Sequence, residues 1–447
     1  MNSNPPSARF LLLTLFFGTI TCLCLAQVSS PTTSPAAQPK ATSTDAQPQP
    51  PTKVTPELAF PPEGLPNGAF LTQGSFDYVS WETFVALNWP ASRTACLPDL
   101  TKTILNGEGP VVWETYLTDA DIFVNPKTAK PTSWCRVPGM LGLNAEALEL
   151  SKQTGVTRFL GRLTKFGPKF TPGIHGIEEV HGPLTDQNGR FVRYEVRVNQ
   201  DEYNYILKNN LWNKAGQAGQ TINFPEGKTE FGPVGAMEIK AAWKVLGDGD
   251  DPARYYKTQA IVFNDNAGTK SPGKNPVTLG LIGLHILHKI KGQPNWLWST
   301  FEQNDNKKAF SYPEGQPNAQ TAATPYKELD PSGKPRNRPV NVVRVNAITD
   351  SVMNPGYQKL LAGSVWANYS LISTQWIGET PGPHPAFLAN TVIETYTQGP
   401  SPTPTDGPSP YNPFGGKASS SCMKCHGVAT TAQGTNANFS FLLGDAQ

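Results

Sequence analysis

The chain has 447 residues, with 37 Lys and Arg against 35 Asp and Glu, for a formal net charge of +2. A charged fraction of 16% without any basic run or stripe excludes the electrostatic footprint of a nucleic-acid binder. With 43 Pro, 40 Gly and 10% aromatic residues, the composition predicts a loop-rich globular body with enough large side chains for a substantial core.

The chain opens with Arg9 as the only charged side chain ahead of the apolar run Phe10 to Ile20, followed by small residues up to Ala26. That run is too short for a comfortable membrane span and reads as a secretory signal over residues 1–26, cut after Ala26. Cys22 and Cys24 keep two alternatives open, lipidation at one of them or retention of the segment as an anchor, either of which gives membrane association. Residues 27–56 are Pro, Ser, Thr, Ala and Gln with few branched aliphatics, so they bury too little surface to offset their ordering entropy and are expected to form a disordered tether.

The body spans 57–398, with a subdomain boundary expected near 167. Phe76 to Leu87 has helical spacing and stops at Trp89-Pro90, and a second helix is predicted over Asn144 to Gln153. From Pro183 the period changes to two. Asn188-Gly189 is a hairpin signal, and Phe191 to Val198 sets Val192, Tyr194, Val196 and Val198 on one face against Arg193, Glu195 and Arg197 on the other, predicting a half-buried strand. Glu238 to Leu246, Tyr255 to Phe263, Val277 to Ile290, Trp296 to Glu302 and Val365 to Trp376 continue the series, with one helix over Asp201 to Asn213. The fold class is therefore α+β and strand-rich, an antiparallel β-sandwich or open barrel with a few helices. Asn304 to Asn341 is polar and aperiodic, either a lid or a disordered insertion.

Removal of the signal leaves Cys96 and Cys135 as a pair outside the last thirty residues, and in an oxidising compartment they are expected to form a disulfide. His175, Glu178 and His181 gather within seven residues and suit zinc or non-haem iron, set against a polar loop with an ordinary salt bridge. His285 and His288 share a face only if their segment is helical; as a strand, which the neighbouring pattern favours, they point to opposite faces. There is no Gly-x-Ser-x-Gly, phosphate loop or dinucleotide fingerprint.

A proline-rich linker over 399–416 leads to a final segment, 417–447, containing Cys422-Met423-Lys424-Cys425-His426. On a helical turn the first and fourth residues share a face, so Cys422 and Cys425 can each bond one vinyl group of one porphyrin while His426 ligates its iron. Here the chain resembles the c-type cytochromes, over the motif and at most the last thirty residues. The resemblance implies one covalent haem c, with His426 as proximal ligand and single-electron transfer to a redox partner protein on the periplasmic side of a bacterial membrane. Small cytochromes c carry the motif near the N-terminus and a methionine ligand later, whereas here no methionine follows Met423. Cytochrome c prime carries it on the last helix of a four-helix bundle, which the strand-rich body does not fit. The layout looks like bacterial cytochrome c family proteins.

The distal ligand then comes from the body, a partner or water, with His285, His288 and Met237 as the candidates within the chain. An electron carrier is the leading expectation. A peroxidase-like or gas-binding enzyme with an open distal position is the alternative, as is a metal-dependent body that uses the haem as electron outlet.

Overall fold

The computed structural model describes residues 47–447 apart from 68, 93, 141–142, 162–183, 187, 264–271, 309–325, 329–351, 378–381, 387 and 394–420. The signal segment, most of the tether, the 399–416 linker and the cluster His175, Glu178 and His181 lie outside the described residues. Asp45–Gln447 forms one compact unit. No helix among the described residues is long and apolar enough to cross a membrane.

The alternating segments assemble into one open sheet of nine strands: β1 (Leu117–Thr118), β2 (Phe159–Leu160), β3 (Arg193–Val198), β4 (Met237–Val245), β5 (Lys257–Val262), β6 (Val277–His288), β7 (Leu297–Gln303), β8 (Tyr369–Ile377) and β9 (Pro383–His384). Their order is β9-β8-β7-β6-β4-β3-β1, with β5 on β6 and β2 on β5. All pairs are antiparallel except β2 with β5. The strand-rich α+β expectation holds, and the sheet does not close into a barrel.

One face is covered by helix α1 (Gln73–Leu87), which starts where the Thr72 hydroxyl accepts from the Ser75 amide. Phe76, Val79, Trp81, Phe84, Val85, Ala86 and Leu87 are all buried, so the helix is enclosed on every side rather than amphipathic. Phe84 stacks on Phe301 of β7 at 4.3 Å between ring centroids, and Trp81 meets the same ring edge-on at 5.1 Å. Ser80 bonds Ser299 and Thr374 at 2.6 Å each, so a polar seam crosses this apolar layer with its groups paired.

Helix α2 (Ala145–Thr154) is capped by Asn144 and ends at Gly155, whose φ of +71° is the left-handed stop that favours glycine. Helix α3 (Gln200–Lys208) is shorter than the expected 201–213 and lies on the sheet face away from α1. Asn199 fixes it: its Oδ1 accepts from the Glu202 and Met237 amides while its Nδ2 donates to the Gly235 carbonyl. Helix α4 (Met353–Leu360) places Tyr357 flat on Trp81. Before β8, Val365–Asn368 forms a 3₁₀ turn where the sequence pattern predicted strand.

The half-buried expectation for β3 is corrected. All six of its residues are buried, because the charged face is compensated internally rather than solvated. Arg197 pairs with Glu195 at 2.8 Å and donates to the carbonyls of Glu114 and Tyr116, and the Trp243 indole donates to Glu195 at 2.8 Å. Burial pushes the Glu195 carboxyl up, but Arg158 and Arg197 outweigh it and hold it below the usual range.

Asp77 on α1 is a buried carboxylate held by neutral groups: its Oδ1 accepts from Gln73 at 2.9 Å and from the Thr374 amide at 3.1 Å. Burial raises its pKa to about 6 against those hydrogen bonds. The folded state therefore favours the protonated acid, and that contribution to stability is lost as pH rises through about 6. Asp77→Asn is expected to stabilise the protein at pH 8 by on the order of 2–3 kcal/mol, with the gain vanishing towards pH 4. Denaturant midpoints at both pH values check this.

Candidate functional site

The Cys-x-x-Cys-His segment forms one helical turn, α5 (Cys422–His426). A proline-rich linker ahead of this segment suggests an appendage, yet residues 421–447 pack against the body on the face opposite α1. Gln375 of β8 receives this turn: its Oε1 accepts from the Met423 amide at 2.8 Å and the Ser421 hydroxyl at 3.2 Å, and its Nε2 donates to the Pro385 carbonyl. Met423 is buried in a cluster with Val196, Val198, Leu287, Trp296 and Trp298. Further along, Gln217 donates to the Leu443 carbonyl and accepts from the Ala432 amide, at 2.9 Å each.

His426 is itself buried, 7% exposed, between Trp298 at 5.6 Å and Phe441 at 5.0 Å. Its Nδ1 lies 2.8 Å from the Phe439 carbonyl oxygen. A carbonyl only accepts, so Nδ1 carries a proton, and a neutral ring would then have its lone pair on Nε2. The carbonyl is aimed by an unusual backbone: Asn438 and Phe439 have φ of +49° and +72°, a region that non-glycine residues adopt at a cost. Trp296 of the 296–298 segment donates to the Asn438 carbonyl at 2.9 Å and holds this turn in place.

Trp298 is 1% exposed, and its indole N–H has no acceptor among the described residues. A buried orphan donor calls for a partner. One that lies against the His426 ring is what a bound group with acceptor oxygens, such as the propionates of a haem, would satisfy. The donor set at α5 is chemically apt for the same group. Two thiols and one imidazole also make up the donor set of an open zinc site, but in this spacing they suit a haem, the thiols as thioether anchors to its vinyl groups and the imidazole as a ligand to its iron. Cys422 is half-buried; the Cys425 side chain lies outside the described part of the structure.

Side chains alternate between the two faces of the sheet, which sorts the remaining candidates. Trp298 pairs in register with Leu287, and Thr300 with His285, so His285 lies on the face that carries Trp298 and α5. Met237 pairs with His288, and both lie on the α1 face, where Met237 belongs to the main aromatic core. His288 donates through Nε2 to the Val234 carbonyl at 3.0 Å, and burial lowers its pKa to about 4, so it is neutral. Cys96 and Cys135 are joined in a disulfide, far from α5 in sequence.

The α1 side also holds a cavity of about 510 Å³ beside that disulfide. Arg158, Arg197, Glu114 and Tyr256 line its inner part, with Arg136 and Lys257 among its other residues. Arg158 pairs with Glu114 at 2.6 Å, and the Tyr256 hydroxyl donates to the same carboxylate.

No family model, curated protein or solved structure matches this chain. Its site is therefore read from its own residues. Gln375, Gln217 and Phe439 escaped the sequence pattern because each acts through geometry that only the docked tail creates. Gln375→Leu is expected to leave the Met423 amide without its acceptor, costing about 1–3 kcal/mol of stability. Faster hydrogen exchange at the amides of 421–427 and a lower denaturant midpoint would register it.

Proposed function

We propose that this chain is an exported mono-haem c-type cytochrome that carries single electrons, with the haem held by Cys422, Cys425 and His426. The observation that carries the reading is the buried His426, whose Nδ1 donates to the Phe439 carbonyl at 2.8 Å and whose Nε2 is thereby the ligating nitrogen. Bound haem supplies the Fe(III)/Fe(II) couple. The protein's part is to orient the imidazole through the Asn438–Phe439 turn, to exclude water with Trp298, Phe439 and Phe441, and to offer the Trp298 N–H as donor. The Cys96–Cys135 bond and the leader support export to an oxidising compartment, in which a protein redox partner exchanges the electron.

Among His285, His288 and Met237, the register supports His285 as the distal candidate, since it shares the sheet face of Trp298 while the other two lie across the sheet. The cavity with Arg158 and Tyr256 supports a second reading, in which the body binds a substrate and the haem serves as electron outlet.

Optical spectra of protein made with haem maturation factors, with and without carbon monoxide, test the proposal. A low-spin haem indifferent to carbon monoxide is expected, becoming high-spin and carbon monoxide-binding in His285→Ala but unchanged in Met237→Leu and His288→Ala. A wild-type haem that already binds carbon monoxide would instead support the open-site enzyme, and protein without haem would remove the proposal.

A further inference from the structure

Two carboxylates lie under the docked tail with little to neutralise them. Glu202, in the first turn of α3, is fully buried and Glu238 of β4 nearly so. The two interact directly, and Glu238 also meets the Ser440 hydroxyl. Glu202 meets the Met237 amide, which already donates to Asn199, but neither of its oxygens makes a well-formed hydrogen bond among the described residues, and neither does Oε1 of Glu238. Two buried carboxylates side by side cannot both ionise cheaply, so the pair retains a proton.

Among the described residues, one cation acts on Glu238. Lys240, two residues along the same face of β4, is the positive charge felt by Glu238. Strand β3 presents Val198 in register with Glu238, and β6 presents Leu287 there with His285 further along the row. The neighbouring Asp201 uses its carboxylate on the Val234 and Gly235 amides, at 2.8 and 2.7 Å. Tyr203 of α3 donates to the Thr132 carbonyl, and the Tyr205 hydroxyl accepts from the Asn223 amide. Burial raises both glutamates above the ordinary carboxylate range; Glu238 raises Glu202 further against the Met237 amide, whereas Ser440, Lys240 and the contact with Glu202 oppose the rise at Glu238 only in part.

The pair is wired to the proximal histidine. Ser440 follows Phe439 directly, so the residue that meets Glu238 adjoins the carbonyl that accepts from His426 Nδ1. Glu238 also faces the same side of the sheet as Trp298, with Leu287 between them in register, about two interstrand spacings away, or roughly 10 Å. Charge at that distance in a buried setting is weakly screened.

We infer that Glu202 and Glu238 form a proton-holding site linked to the oxidation state of the haem iron. A haem held at His426 would gain one negative charge on accepting an electron from a one-electron donor. The pair offsets that charge by binding one proton from solvent, and oxidation releases both. This rests on the haem reading above, and its failure is separable from the failure of that reading.

The experiment is a mediated potentiometric titration of the haem-loaded protein across roughly pH 5–9, with the infrared difference spectrum between reduced and oxidised forms. The potential is expected to fall as pH rises over part of this range, at most by the 59 mV per pH unit of one proton per electron. The difference spectrum is expected to show a protonated-carboxyl band. Glu202→Gln and Glu238→Gln, which keep shape and remove the titration, should flatten the slope and abolish the band. A haem-loaded wild type with a pH-independent potential, or with no carboxyl band, overturns the inference without needing any variant to fold. So does a slope retained in both variants, which would assign the proton to another group. A wild type that takes up no haem counts against the proposed function instead.

Discussion

A sheet covered on both faces must satisfy every polar group it carries from within. This constraint governs the molecule. With α1 on one side and α3 and the docked tail on the other, water is excluded from the centre of the sheet, and each buried charge or donor needs an internal partner or changes its protonation. Arg197, Glu195 and Arg158 answer with mutual ion pairs, Asp77 with a raised pKa, and Gln375 with three hydrogen bonds that clamp the tail. Trp298 and the pair Glu202 and Glu238 are among the groups where internal satisfaction is incomplete, and these lie against or beneath the segment that carries His426.

The covered sheet also separates two environments. On the tail side, α5 rests on Met423 and Gln375, and the strained turn at Asn438 and Phe439 sets the imidazole of His426 in one orientation. On the α1 side lie the aromatic core around Trp81 and Phe84 and, towards the β3 edge, the cavity beside the disulfide. Strand β3 joins the two, because Val196 and Val198 pack under the tail while Arg197 faces the ion-pair network.

Much of this was legible in the sequence. The period of two located the central strands, and the end of α1 followed from the Trp89-Pro90 stop, while its start at Gln73, capped by Thr72, lies three residues before the expected Phe76. Helix α2 falls within one residue of the expected Asn144 to Gln153. Burial of the charged face of β3 was not legible, because alternation of valine with arginine and glutamate looks the same whether the charges meet solvent or one another. The docking of 421–447 was hidden for a similar reason: the 399–416 linker suggests independence, while the contacts that remove it come from Gln217, Trp296 and Gln375, each remote in sequence. The motif itself was plain from spacing alone. Its acceptor carbonyl was not, since nothing in Asn438-Phe439 announces two consecutive left-handed residues.

The central claim is a covalent haem on Cys422 and Cys425, and mass spectrometry of the C-terminal proteolytic peptide tests it most directly. For protein matured in a periplasm with haem attachment machinery, the account predicts a peptide spanning 422–426 that carries one haem through two thioether bonds. Cys422→Ala together with Cys425→Ala should abolish the adduct. An unmodified peptide with both thiols intact, from cells that attach haem to a control cytochrome, would contradict it.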